Sequence, residues 1–385
     1  MCIRDSVNET RRGTSKLPHK PDCQPRELFG YHPAHHFAEY PMKQLGLPML
    51  TGLAHGASDA VAGFLVVQVL MLNSQPVIDY VLIYNALAFG LQPVAGLLLD
   101  QFKFQRRGAA VGLLLSALAL ILTWVSLTWG ILFAGFGSAI FHTGGGSTAL
   151  SSTPGRATGP GIFSAFGVVG LAIGSQLAFY FSVTTITAFT IMLLLLAAVI
   201  WFFPTSAVIS SSPDSISTSV NIELLVFGLV LAIALRSYVW AGLQSGQAGY
   251  SQLALSIALA AGLGKLIGGF LADKFGWRTY AIIALVASVF LLAFGGAALW
   301  PLLMGIFFLQ SVTPLSLAAV GYLMPSSPAL ATGLVLGVGV LLGGLLLALL
   351  GSSWLANPLG IIWILFASSG LYLFTLLSVG KLRGI

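Results

Sequence analysis

The sequence predicts an all-α polytopic membrane protein, with twelve transmembrane helices in two pseudo-symmetric six-helix bundles. Three observations carry that expectation. Of 385 residues, 57% are hydrophobic and only 7% charged, with a mean hydropathy of +0.94. Soluble domains carry about 25% charged residues, so too little polar surface exists here to cover a water-facing fold. From residue 44 on, turn-forming residues divide the chain into twelve apolar segments of 20 to 27 residues. Such segments cross a hydrocarbon layer of about 30 Å at about 1.5 Å per residue, and their unalternating hydrophobicity excludes a β-barrel. The longest break, the Ser-rich stretch 206–220, divides the membrane part into six plus six and reads as a surface linker.

Taken in order, the chain opens on a leader, residues 1–43, that holds 12 of the 28 Asp, Glu, Lys and Arg residues. It has no apolar core, so it is not a signal peptide, and its composition reads as disordered. Met42-Lys43 directly precedes the first apolar span, and residues 1–41 are expected to be a non-native extension or tail. His19, Cys23, His32, His35 and His36 lie there in spacings that match no zinc pattern. The spans are expected near 46–72, 77–99, 108–127, 128–149, 158–182 and 185–204, an N-terminal bundle within 44–205. The C-terminal bundle, 221–385, holds spans near 222–245, 248–272, 278–298, 300–323, 328–350 and 358–380. The separators are Asn73-Ser74-Gln75-Pro76, Thr153-Pro154-Gly155, Met324 to Pro328 and Asn357-Pro358. Trp124, Trp129, Trp300 and Trp354 lie near span ends, as interfacial tryptophans do.

Lys103, Arg106, Arg107, Arg156, Lys274, Arg278, Lys381 and Arg383 all fall in loops or tail on one side. By the positive-inside rule that side, both termini and the linker are cytoplasmic, and the expected location is a plasma membrane, of the bacterial inner-membrane kind. The net charge of +6 is scattered over loops rather than gathered on a face, so nucleic acid is not an expected partner. Two cysteines, Cys2 and Cys23, exclude a disulfide scaffold. The chain has no G-x-x-x-x-G-K-(S/T) loop, no H-E-x-x-H and no nucleophile–base set. ATP-driven transport and enzymatic activity are therefore not expected, nor is any cofactor or metal.

Two segments repeat at matching positions in the halves. Gly96-Leu97-Leu98-Leu99-Asp100-Gln101-Phe102-Lys103 leads to Arg106, and Gly269-Phe270-Leu271-Ala272-Asp273-Lys274-Phe275-Gly276 leads to Arg278. Each joins the second and third spans of its half. A glycine lets neighbouring helices approach, and a carboxylate at a helix end can latch one helix to another. This doubled motif resembles the signature loop of the major facilitator superfamily, whose form is G-x-x-x-D-(K/R)-x-G-(R/K). The first copy has Gln101 for the basic residue and Lys103 for the glycine. A narrower resemblance is to fosmidomycin-resistance-type efflux transporters. It rests on Ala54-His55-Gly56-Ala57-Ser58-Asp59, Phe141-His142-Thr143, Gly155-Arg156-Ala157, Gly161-Ile162-Phe163-Ser164 with Gly167, Gly170 and Gly174, and Leu235-Arg236-Ser237-Tyr238. The chain departs from that group at His142-Thr143-Gly144, at Gly174-Ser175 and around Gly321-Tyr322. These resemblances imply inverted three-helix repeats, a site between bundles near the midplane and alternating access by rocking.

Ionisable groups inside apolar spans cost at least about 2.5 kcal/mol each, so they are candidates for function. Asp59 and Arg236 lie at equivalent depths in spans one and seven. They are expected to approach each other across the interface, against the alternatives of a permanent bridge or two separate polar contacts. His55 and Asp59 are i, i+4 and share a helix face. His55 then either carries protons with Asp59 or caps a backbone carbonyl. His142, beside Gly144-Gly145-Gly146, marks either a substrate-facing kink or close packing. Gln176, Gln244 and Gln310, with Gln68, Asn85, Gln92 and Gln247, line a polar path or bond between helices. Lys265 lies about 12 Å deeper than Asp273 on the same span, where it snorkels or binds a carboxylate.

The function expected from these residues and the resemblance is proton-coupled efflux of a small organic compound or drug. Asp59 and His55 would be the proton site, with Arg236 as counter-charge or anion anchor. Uptake of a small solute, anions included, by symport or uniport is the first alternative, and a non-transporting membrane receptor or assembly partner is the alternative from another class. Expected partners are a small-molecule substrate, protons and the lipid bilayer, and the chain is expected to act as a monomer.

Overall fold

The computed structural model describes residues 42–71, 77–180, 182–204, 221–246, 251–295 and 298–383. The leader residues 1–41, with their histidines and cysteines, and the linker 206–220 lie outside the described residues. All regular elements among the described residues are helical. They form α1 (Met42–Met71), α2 (77–101), α3 (Gln105–Leu122), α4 (Leu127–Ser152), α5 (Thr158–Leu177) and α6 (Val183–Phe202). The second half repeats the series as α7 (Ile222–Gly246), α8 (Ser251–Phe275), α9 (Trp277–Phe294), α10 (Leu299–Leu323), α11 (Pro328–Leu350) and α12 (Pro358–Arg383).

Eleven of these are long and apolar enough to cross a membrane, and α4 is the exception. Its second half reads His142-Thr143-Gly144-Gly145-Gly146-Ser147-Thr148, yet almost all of it is buried in protein. The hydroxyls are satisfied on their own helix. Thr143 Oγ1 donates to the Ala139 carbonyl at 2.9 Å, Thr148 Oγ1 to Gly144 at 2.6 Å and Ser152 Oγ to Thr148 at 2.7 Å. A polar helix is therefore tolerated because it faces neither lipid nor an unpaired backbone. The three glycines lie within one continuous helix and serve close packing. The Cα of Gly144 lies against α3 at Gln105 and Ala109, while Gly145 and Gly146 make room for the Phe163 ring.

The packing of the first half is repeated in the second. Helix α1 packs on α5 and α7 on α11, α3 on α4 and α9 on α10, α3 on α6 and α9 on α12. The halves meet along α2 against α11 and α5 against α8, with α4 also touching α11. The α1–α5 seam is the tightest, because Gly63, Gly170 and Gly174 bring backbone onto backbone. A Cβ on Gly170 would collide with the Gly56 carbonyl, and one on Gly174 with the Ala60 carbonyl.

Three spans are less regular than their hydrophobicity suggests. Helix α10 breaks at Val312, since Pro314 has no N–H to give the Gln310 carbonyl. Helix α2 carries a π-turn at Ala86–Gly90 just before Pro93, and α11 carries one at Gly333–Val338 facing it. Pro93 frees the Phe89 carbonyl, and a Cβ on Gly337 would sit 2.6 Å from that oxygen. The turn between α3 and α4 falls at 123–126, just before the break expected between 127 and 128.

Gly170→Val is expected to lower the thermal unfolding midpoint in detergent by an amount equivalent to about 1–3 kcal/mol, as overpacking does. An unchanged midpoint would contradict the backbone contact between α1 and α5.

Candidate functional site

Three side chains converge inside the N-terminal half. Helical spacing puts His55 and Asp59 one turn apart on α1, and α4 brings His142 to the same point. His55 Nε2 lies 3.2 Å from Asp59 Oδ2, and His142 Nε2 lies 3.2 Å from Asp59 Oδ1. The two Nε2 atoms are 3.0 Å apart. His55 and His142 are 5% and 6% exposed, while Asp59 keeps 17% of its side-chain surface accessible.

The far side of each imidazole is committed to backbone. His55 Nδ1–H donates to the Phe163 carbonyl at 2.9 Å, and His142 Nδ1–H donates to the Ser138 carbonyl at 2.7 Å. These bonds assign the tautomers. With both rings neutral, two Nε2 lone pairs and a carboxylate would face one another with no hydrogen between them. One added proton resolves this: an imidazolium Nε2–H can donate to Asp59 and to the other ring, leaving a neutral cluster. Low dielectric makes both the pairing and its loss costly.

Helix α5 closes the cluster. The Phe163 ring stacks on His55 with centroids 4.4 Å apart, and Phe141 stands 6.0 Å from His55 and 6.2 Å from Phe163. Gly167 opens toward the acidic oxygen: a Cβ there would be 2.7 Å from Asp59 Oδ2 and closer still to His55. Tyr84 of α2 lies beside Ser138 and within electrostatic reach of Asp59, as does Lys265 of α8.

Arg236 is not paired with Asp59 in this structure, contrary to the expectation drawn from their equal depth. It is buried at the break in α10, where Nη1 donates to the Leu309 carbonyl at 3.0 Å and to Thr313 Oγ1 at 2.7 Å. The broken helix supplies a free carbonyl end, which attracts a cation, while the carboxylate is already held by imidazoles. Among the other candidates, Gln310 is buried and accepts from Thr313 Oγ1 at 3.2 Å, Gln176 is half-buried and Gln244 is exposed. Gln68 bonds the Ala178 carbonyl, while Asn85 and Gln92 bond their own helix, and Gln247 lies outside the described residues.

The repeated motif makes two connections between the halves. Asp100 at the end of α2 accepts N–H bonds from Ala329 at 3.0 Å and Leu330 at 2.8 Å, at the start of α11. Asp273 at the end of α8 accepts from the N–H groups of Ala157 at 2.8 Å and Thr158 at 2.9 Å, and from Thr158 Oγ1 at 2.6 Å, at the start of α5. Each carboxylate thus caps a helix N-terminus of the opposite half, where the unpaired N–H groups and the helix dipole favour negative charge. The motif glycines explain the approach: Gly96 lies against Ala329 and Leu330, and Gly269 against Ala157 and Thr158. The basic members make contacts of their own. Arg106 Nη1 donates to the Ile200 carbonyl at 3.0 Å and also to Phe203, clasping the end of α6, while Lys274 lies over the Phe275 ring and Arg278 is exposed. Both motif turns need a positive φ at the same position, taken by Gly276 at 86° and by Lys103 at 50°.

No family model matches the chain, and no curated protein does. Solved structures match over most of its length. The Escherichia coli fucose:proton symporter FucP aligns with a TM-score of 0.65 at 15% identity, covering 87% of this chain and 98% of that one. The human organic anion transporter MFSD10 aligns with 0.64 at 14% identity, covering 88% and 99%. A bacterial homologue of the iron transporter ferroportin aligns with 0.56 at 15% identity, covering 89% and 99%. The chain has the fold of the major facilitator superfamily. That fold explains why the connections recur as a pair, since α2 and α5 of one half meet α11 and α8 of the other about a pseudo-two-fold axis.

Asp100→Ala is expected to separate α2 from α11 at the basic end. Hydrogen bonds to a charged group contribute about 1.5–3 kcal/mol, so the population of the open state should rise about tenfold or more. Spin labels on Lys103→Cys and Ser326→Cys would report this as a longer distance distribution, and an unaltered distribution would remove Asp100 as a latch.

Proposed function

We propose that the protein is a proton-coupled secondary transporter that works by alternating access and exports a small organic compound across a plasma membrane. The cluster of Asp59, His55 and His142 carries this reading, because one extra proton supplies the hydrogen bonds that its facing lone pairs lack. Loss of that proton leaves lone pairs and a carboxylate facing one another between α1 and α4. Their repulsion would loosen α1 from α4 and α5, the seam on which rocking of the N-terminal half depends. The charged and titratable groups facing Asp59 are His55 on α1, His142 on α4, Tyr84 on α2 and Lys265 on α8.

The Asp100 and Asp273 caps supply the gate. Both sit at the end carrying the basic loops, read as cytoplasmic, and both are engaged here. Their state corresponds to closure on the cytoplasmic side, and opening there would require both helix N-termini to leave their carboxylates. The export direction rests on the resemblance to efflux transporters. Uptake by symport is the second reading. Lys265 lies within electrostatic reach of Asp59, so a protonated cluster leaves that lysine free for a solute, and one solved neighbour is a fucose:proton symporter.

In proteoliposomes, Asp59→Asn is expected to abolish transport driven by a pH gradient while leaving the unfolding midpoint within a few degrees of wild type. Unaltered gradient-driven flux would defeat the assignment of the proton site. Reversing the gradient decides between the directions: export requires flux against proton flow, and symport requires flux with it.

A further inference from the structure

The side chains that face one another inside the N-terminal half are also a set of metal ligands. Among the described residues, His55, Asp59 and His142 are the group of three His or carboxylate side chains whose donor atoms all lie within 4.8 Å of one another. The two Nε2 atoms are 3.0 Å apart, and each lies 3.2 Å from one Asp59 oxygen. A tetrahedral transition metal with bonds of about 2.0–2.1 Å holds its ligand atoms about 3.3 Å apart, so these spacings fall within about 0.3 Å of that arrangement.

Each ring is prepared for that role by its other nitrogen. His55 Nδ1–H is held by the Phe163 carbonyl and His142 Nδ1–H by the Ser138 carbonyl, which leaves each Nε2 lone pair facing Asp59. Hydrogen bonds of this kind fix the tautomer and orientation of metal-bound histidines. Asp59 turns one oxygen to each ring, so its carboxylate can bind an ion through one oxygen or both. Helix α5 leaves the ligand atoms uncovered: a Cβ on Gly167 would collide with His55 Nε2 and lie 2.7 Å from Asp59 Oδ2. The Phe163 and Phe141 rings supply an apolar wall, and Asp59 keeps 17% of its side chain accessible, which leaves the carboxylate side as the way in. Two imidazoles and one carboxylate suit a divalent first-row transition metal, whereas Mg2+ and Ca2+ take oxygen ligands.

We propose that His55, Asp59 and His142 bind a divalent transition-metal ion of the zinc class, and that the bound ion ties α1 to α4. The ion takes the same lone pairs as a proton would, so the cluster holds one or the other. The inference stands on the geometry of three side chains and does not depend on the transporter reading. It corrects the expectation of no metal, which followed from spacing: His55 and Asp59 are a local pair, but His142 is 87 residues from His55, so no ligand motif marks the site.

The test uses the full chain carrying His19→Ala, His32→Ala, His35→Ala, His36→Ala, Cys2→Ser and Cys23→Ser, so that the leader offers no competing imidazole or thiolate. The protein is purified in non-ionic detergent through a tag without histidine and stripped with a chelator. Calorimetric titration with zinc chloride is expected to show one ion per chain, and the thermal midpoint to rise with Zn2+ and not with Mg2+. The affinity for zinc should fall at least about tenfold in Asp59→Asn and in His142→Gln. X-ray absorption of the zinc-loaded chain should show two imidazoles and oxygen around the ion, which keeps the test decisive if a variant fails to fold. No stoichiometric binding, equal binding of Mg2+, a zinc shell without two imidazoles, or unaltered affinity in both variants would overturn the site. Zinc binding with unaltered gradient-driven flux in Asp59→Asn would leave this site standing and remove the proton assignment. Loss of that flux in a chain that binds no zinc would do the reverse.

Discussion

A carboxylate largely enclosed within a helical bundle must find positive charge or hydrogen-bond donors nearby, and Asp59, with 17% of its side chain accessible, sets that requirement for the N-terminal half. Two imidazoles meet it, and each is oriented by a backbone carbonyl rather than by a side chain that could rotate away. Bringing the Phe163 carbonyl to His55 requires α5 to lie against α1 at backbone distance, which the glycines of that seam permit. Bringing His142 to the same oxygen pair requires a helix too polar to face lipid, so α4 is buried and its hydroxyls are satisfied internally. The tightest seam and the most polar helix are thus consequences of one buried charge.

The same electrostatic logic operates at the ends of the helices. Asp100 and Asp273 occupy the N–H groups that α11 and α5 leave unpaired. A cap made by a residue of the opposite half is also a connection between halves, and it can be released without unfolding either one. The two caps are equivalent by pseudo-symmetry, but the seams they close are not: π-turns face each other between α2 and α11, whereas α5 and α8 meet as regular helices. The α2–α11 side therefore has backbone that can change its hydrogen bonding at lower cost.

Much of this was legible from residue types alone. Helix number, the division into halves and the repeated glycine–aspartate motif are written in local hydrophobicity and spacing, because a membrane span must be apolar over a fixed length. His55 and Asp59 were legible as partners because i, i+4 spacing on a helix places them together. The missing partner, His142, is 87 residues away from His55, and no spacing rule connects them. Pairing Asp59 with Arg236 followed from charge and depth; in this structure each has other partners, because depth does not specify which helix face meets which. The motif aspartates were legible as a repeated pair at helix ends, but the donors they accept from, the backbone N–H groups of α5 and α11, have no side-chain signature to read.

By itself the sequence determined a twelve-span helical membrane protein, its two halves, and which few ionisable groups had to be sheltered. The tertiary structure decided who shelters them: two imidazoles for Asp59, a broken helix for Arg236, and helix N-termini for Asp100 and Asp273. The physical reason is one of range. Hydropathy and helical periodicity act between near neighbours along the chain, whereas the compensation of a buried charge depends on the direction of groups that only packing brings together.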